Sequence, residues 1–267
     1  MTAGAVYFVA FFFHLTAFLG AKEKAGRTGL LLMRLGFLVH TFFFFLETKT
    51  GGLLIPVSSF GQVMAFFSWA LAFVYLVLLA RIQSEPFGLI LAPFLSLLVW
   101  IGIFRFNTGA NTLPTPLNPY FVLHLATAFF AYASFTLSFV AAALYLIQNR
   151  ELKRKRGGTF YHQLPSLEAL EGLVYQAMAW GVFLLGVAMG VGFLWSKSAY
   201  GTYWLGDPKT VSTLGVTLVY LTLVYLYYAK ALRGKRLVVL SLIAFGFIFL
   251  NFFGLNLFGK GVHQLLH

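Results

Sequence analysis

The chain of 267 residues contains no cysteine, a single aspartate (Asp207) and only 10% charged residues. Without thiols it forms no disulfide, has no thiolate nucleophile and cannot hold a metal cluster through sulfur. The chain itself can carry out no thiol–disulfide exchange. The scarcity of charge is matched by an excess of hydrocarbon: 60% of residues are hydrophobic, 32 are Phe and the mean hydropathy is +0.85. A soluble domain of this length cannot hide so much apolar surface, which implies an all-α, polytopic integral membrane protein. The formal net charge of +12 does not point to nucleic acid. Its basic residues cluster at 150–156 (RELKRKR) and 230–236 (KALRGKR), between apolar runs, where topology anchors belong, and no soluble domain carries a basic patch. The first apolar run begins at once, without a basic leader or small-residue cleavage site, and is expected to be a retained span.

Apolar stretches fall at about Ala5–Leu19, Gly29–Leu46, Gly61–Ala80, Pro86–Phe104, Pro119–Ile147, Leu170–Trp195, Val211–Ala229 and Leu237–Leu257. Each approaches or exceeds the roughly 20 residues that cross a bilayer core, and in lipid each must be helical to satisfy its own backbone. The expectation is one membrane domain over 1–267 with about eight transmembrane helices. Lys22, Lys24, Arg27, Arg81 and the two basic clusters fall in one set of connections; Lys49, Arg105, Lys197, Lys209 and Lys260 fall in the other. This asymmetry places the N-terminus, the C-terminus and the Trp195–Thr210 connection on the extracytoplasmic side.

Polar residues inside the spans are the candidates for chemistry, because lipid penalises them. His14 lies in FFFHLTAF, where either a structural hydrogen bond or a ligand role would account for it. Arg34 and His40 share the second span but stand six apart, off the spacing that puts two residues on one face. A buried neutral imidazole such as His40 can offer one nitrogen to a metal while a neighbour holds the other. Gln62 and Ser68 are suited to interhelical hydrogen bonds, and Trp69 to packing. Gly186 and Gly190 form a GxxxG pair of the kind used for helix packing. His124 lies one turn inside the fifth span, and His263 lies beyond the eighth.

Between the sixth and seventh spans runs WSKSAYGTYWLGDPKT, Trp195 to Thr210, which gathers Tyr200, Gly201, Tyr203, Trp204 and Asp207. Such rings serve equally as interfacial anchors, with Pro208 opening the next helix. Topology brings this loop to the same side as His124 and His263. Two imidazoles at matching depth can be opposite axial ligands of a haem iron, can bind a transition metal, or can sit in unrelated loops.

The loop resembles the tryptophan-rich signature WGxxWxWDPKE of haem-handling cytochrome c assembly proteins of the CcsA/ResC type, with more distant similarity to CcmC and CcmF. In AYGTYWLGDPKT, the residues Gly201, Trp204, Asp207, Pro208 and Lys209 stand in register, and Trp195 matches a tryptophan that precedes the motif. Gly206 stands where the family has a second Trp, and Thr210 where it usually has Glu. The resemblance implies that residues 196–209 form an extracytoplasmic haem-binding loop. It further implies that His124 and His263 are the haem-iron axial ligands, and that His40 belongs to an inner site holding haem before delivery. The implied activity is transport of haem b and its attachment to apocytochrome c, as a component of a haem lyase in the bacterial cytoplasmic (inner) membrane. The implied partners are a CcsB/ResB-type membrane protein, the CXXCH segment of apocytochrome c and a thiol-reducing pathway. Two other readings stand beside this one: a membrane electron-transfer subunit binding bis-histidine haem or quinone, and a small-molecule transporter. The latter would favour broken helices and repeated halves, and no inverted repeat is detectable.

Overall fold

In lipid a segment's hydroxyls and amides must find partners along their own helix or on a neighbouring one, and that requirement shapes this bundle. The computed structural model describes residues 2–20, 22–51, 59–78, 85–106, 118–154, 163–203 and 208–250, without the side chains of 49–51, 60, 105, 106 and 209. These residues form eight α-helices: α1 (Thr2–Gly20), α2 (Glu23–Gly51), α3 (Phe60–Leu78), α4 (Glu85–Phe106), α5 (Pro119–Arg154), α6 (Leu167–Tyr200), α7 (Pro208–Tyr228) and α8 (Gly234–Phe249). Seven of them, α1 to α7, are long and apolar enough to cross a membrane. The chain is thus an all-α polytopic membrane bundle.

Helix starts follow the local sequence. Asn118 accepts from the Phe121 amide (2.8 Å) just ahead of Pro119, and Ser166 accepts from the Ala169 amide (3.2 Å) ahead of Leu167. Within the spans, Thr41, Ser134, Thr136 and Thr222 donate to carbonyls four residues back and so bring no unpaired hydroxyl into the bilayer. Two helices outrun their apolar stretches: α5 continues past Ile147 to Arg154, and α6 past Trp195 to Tyr200. A helix can leave the hydrocarbon and keep its backbone hydrogen bonds, so polarity alone does not end it.

Contacts fix the packing register. His14 and Tyr7 of α1 lie against Gly29 and Gly36 of α2, and Ser68 of α3 donates to Leu95 O of α4 (3.0 Å), while Gly102 of α4 faces Gly61 of α3. In the other half, Asn118, His124 and Phe135 of α5 meet Ser198, Gly192 and Gly181 of α6. In each pair residue numbers rise on one helix as they fall on the other, so these neighbours are antiparallel. The molecule consists of a unit α1–α4 and a unit α5–α8, joined chiefly where α3 packs on α5 through Val63, Phe66, Val122 and Phe129. At the opposite face, Gln163 ties the units again by donating to Phe18 O (2.7 Å). Because lipid tails are as apolar as leucine, close packing and hydrogen bonds hold such units together more than the hydrophobic effect.

The GxxxG expectation is corrected. Gly186 and Gly190 are exposed, and an added Cβ at either would meet nothing within 4 Å. The glycines that admit a neighbour on α6 are Gly181, against the Phe135 ring, and Gly192, against His124.

Candidate functional site

The end of the bundle that carries Gly201 also holds His124 and Trp195. Helix α6 ends there because Gly201 adopts a left-handed conformation (φ 77°), and its amide donates to Lys197 O (3.1 Å). The Lys197 ammonium donates to Gly201 O (2.9 Å) and lies 5.2 Å from the Tyr203 ring centre, while Ser196 donates to Thr202 O (2.7 Å). The first turn beyond the helix is therefore folded back onto the α6 end, and Lys197 is committed to it. Trp204, Asp207 and His263 lie outside the described residues, and Lys209 is described by its backbone alone.

His124 is half-buried one turn inside α5. Its Nδ1 stands 2.7 Å from Ala188 O of α6, an acceptor only, so Nδ1 carries a hydrogen. In the neutral ring that is the tautomer in which Nε2 can ligate a metal while a backbone carbonyl orients the ring. The imidazole stacks on fully buried Trp195 (ring centres 6.0 Å, interplanar 12°), which in turn meets Phe121 at 5.2 Å and Tyr200 at 5.7 Å. Gly192 leaves the space the ring occupies: a Cβ there would stand 2.8 Å from Nδ1. The structure thus brings together His124, Trp195 and Gly192, and places Gly201 at the end of the same helix.

His40 lies in the other unit. It is 5% exposed, stacks on Phe44 (5.0 Å, 13°) and meets Tyr7 edge-on (6.1 Å, 61°). It lines a cavity of about 180 Å³ between α1, α2, α3 and α4, together with Ala3, Phe44, Glu47, Gln62 and Gly102. Ring contacts lead from His40 through Phe44 and Phe66 to Phe129 of α5. A second route runs from Phe37 through Phe73 to Phe130, and both leave His40 farther from the Gly201 end than His124. Arg34, by contrast, is exposed on α2, as the six-residue spacing implies.

A flat aromatic cargo suits both places in different ways. The stacked His124 and Trp195 present an imidazole whose Nδ1–H is held by a backbone carbonyl. The His40 cavity offers an imidazole among rings and small residues, but it is smaller than the roughly 300–1,000 Å³ that encloses a drug-sized ligand. A macrocycle at His40 would be held by one edge, with the remainder outside the cavity. Among the described residues no three His, Cys, Asp or Glu side chains converge as a metal-ion site would require.

His14 belongs to neither place. Its Nδ1 lies 2.7 Å from Glu85 Oε2, and its ring is wedged between Gly29 of α2 and Gly88 of α4 near the opposite face. Of the two roles that would account for His14 in the sequence, the structural hydrogen bond is the one present. Sequence reasoning missed Tyr7 and Glu47. Glu47 was detectable as the acid two turns from His40 on the same helical face; Tyr7 carried no signal, because only the packing of α1 on α2 brings it to His40.

Comparison with known proteins places these features in context. The family described as cytochrome C assembly protein matches residues 57–263. Protein HemX of Brevibacillus brevis is 28% identical over 218 residues, covering 80% of this chain and 79% of its own. Protein HemX of Bacillus subtilis (strain 168) is 25% identical over 223 residues, covering 80% and 78%. Cytochrome c biogenesis protein CcsA of Guillardia theta is 25% identical over 191 residues, covering 62% and 61%.

Proposed function

Because the chain belongs to the cytochrome c assembly protein family, whose membership carries a role in cytochrome c biogenesis, we propose that it receives haem b within the membrane and presents it on the Gly201 face for attachment to apocytochrome c. The observation that carries this reading is the His124 arrangement, in which Ala188 O holds Nδ1–H, Trp195 supports the ring and Nε2 is the ligating nitrogen. His263 is the opposite axial ligand, and Gly201, Trp204, Asp207 and Lys209 complete the platform. His40 holds haem before transfer, farther from the Gly201 face than His124. The Gly201 face is extracytoplasmic in the bacterial inner membrane, and a CcsB/ResB-type protein completes the lyase. The two cysteines of a CXXCH segment add S–H across the haem vinyl groups without net oxidation. A separate thiol pathway keeps those cysteines reduced, since this chain has none.

The test is the absorption spectrum of protein purified from haem-replete membranes. His124→Ala and His263→Ala should each diminish or shift the haem bands. An unaltered spectrum in the double variant would refute the ligand pair. A second reading is favoured by one observation: Gly206 and Thr210 stand where the resembled motif has Trp and Glu. Under it the chain keeps the fold and binds haem without attaching it. A cytochrome c maturation assay in a strain lacking its own lyase separates the two, since only the first restores holocytochrome.

A further inference from the structure

Two buried polar atoms meet beside the cavity without a hydrogen-bond partner among the described residues: Tyr7 Oη and His40 Nδ1. Tyr7 is 0% exposed and His40 5% exposed, so neither atom reaches lipid headgroups or bulk water. Leaving such groups unpaired carries a desolvation cost, and a native bundle retains that cost only for a reason. The two rings are already in edge contact, with centres 6.1 Å apart. The pairing requires only that the rings shift within this edge contact until hydroxyl and ring nitrogen reach about 2.7–3.2 Å.

The backbone directs them toward each other. Side chains on a helix lean toward its N-terminus. Helices α1 and α2 are antiparallel, with Tyr7 against Gly36, one turn before His40, so Tyr7 leans up toward His40 and His40 leans down toward Tyr7. Gly36 is required for this: an added Cβ would stand 2.7 Å from Tyr7 Cε1. Nδ1 is the buried nitrogen, which leaves the Nε2 edge of the imidazole to line the cavity.

We propose that Tyr7 is the positioning residue of the inner site: its hydroxyl accepts from His40 Nδ1–H and thereby leaves the lone pair on Nε2, the nitrogen on the cavity side. With the hydroxyl accepting from Nδ1–H, Nε2 is the ligating nitrogen and its basicity rises, as for other metal-binding imidazoles held at the second nitrogen. With the hydroxyl donating to Nδ1, Nε2 carries the hydrogen and the site cannot ligate. The role of Nε2 as a haem ligand rests on the function proposed above; the Tyr7–His40 pair itself does not.

The test uses the full chain in lipid nanodiscs, free of haem, with ¹⁵N-labelled histidine rings. Six histidines are present, and His40 is assigned by the resonances lost in His40→Gln. Tyr7→Phe, which keeps the ring and removes the hydroxyl, should move the His40 Nδ1 resonance and change the tautomer ratio several-fold. The His14 resonances should stay in place, which reports that α1 is folded with its contact to Glu85. Gly36→Ala, which retains the hydroxyl but displaces the Tyr7 ring, should move the same His40 signal. Unchanged His40 resonances in both variants would overturn the proposal. In haem-loaded protein, Tyr7→Phe should raise the midpoint potential of the His40-dependent haem, because a less basic imidazole stabilises the ferric state less. If His40→Gln loads haem like the parent, the inner-site reading fails while the nitrogen resonances still decide the pair.

Discussion

Replacing Gly192 by alanine is the sharpest perturbation of the His124 arrangement, because the same helix supplies its own controls. The new Cβ would stand 2.8 Å from His124 Nδ1 and 3.0 Å from Cε1. Ordinary carbon contacts begin near 3.5 Å, so the imidazole must retreat by roughly 0.5–0.7 Å. It cannot do so and keep the 2.7 Å bond to Ala188 O, since that carbonyl lies one turn from Gly192 on the same helix. Overpacking costs about 1–3 kcal/mol and the lost hydrogen bond about 1 kcal/mol, against a gain of about 1 kcal/mol from replacing a helical glycine. The net expectation is a destabilisation of about 1–3 kcal/mol. At Gly186 and Gly190, where a Cβ meets nothing, only the gain remains. Thermal melts of the three variants in one detergent should therefore diverge, with Gly192→Ala below the parent and the other two at or above it. The haem bands should weaken in Gly192→Ala alone. If Gly192→Ala melts with its controls and keeps an unaltered spectrum, the close packing of His124 on α6 is not what orients the ring.

Two further outcomes follow from other parts of the bundle. Glu85→Gln removes the carboxylate that faces His14 Nδ1 at 2.7 Å, and Gly88→Ala drives a methyl into the imidazole; each should destabilise the chain by about 1–3 kcal/mol in detergent melts while leaving the His124 haem bands in place. Single cysteines introduced at Tyr203 and at Lys153 meet a background without thiols, so an impermeant maleimide applied to intact cells should label the first and spare the second; the reverse pattern would invert the proposed orientation.

All eight helices were legible as apolar runs, whereas the caps at Asn118 and Ser166 are seen only in the structure. Their ends were less legible: Ile147 and Trp195 close apolar runs, yet the helices reach Arg154 and Tyr200. The site divides in the same way. His40 and His124 stand out because an imidazole in a span needs a reason, and Trp195 and Gly201 because they flank the only aspartate. Nothing local marks Tyr7 as the neighbour of His40, Ala188 as the acceptor for His124, or Glu85 as the partner of His14 seventy-one residues earlier.

The physical reason is the solvent. In water a helix shows its buried side as an apolar stripe, whereas spans that are apolar all round give no such mark of their inward face. Composition and run length were therefore enough to determine an all-α membrane bundle and the polar residues that cost most to bury, while of the eight apolar runs seven correspond to helices long and apolar enough to cross. Which of those residues meet was decided by helix register. On α6 the same residue type occurs at Gly172, Gly181, Gly186, Gly190 and Gly192, and only the tertiary structure distinguishes the two that receive Phe135 and His124 from the three where an added Cβ would meet nothing.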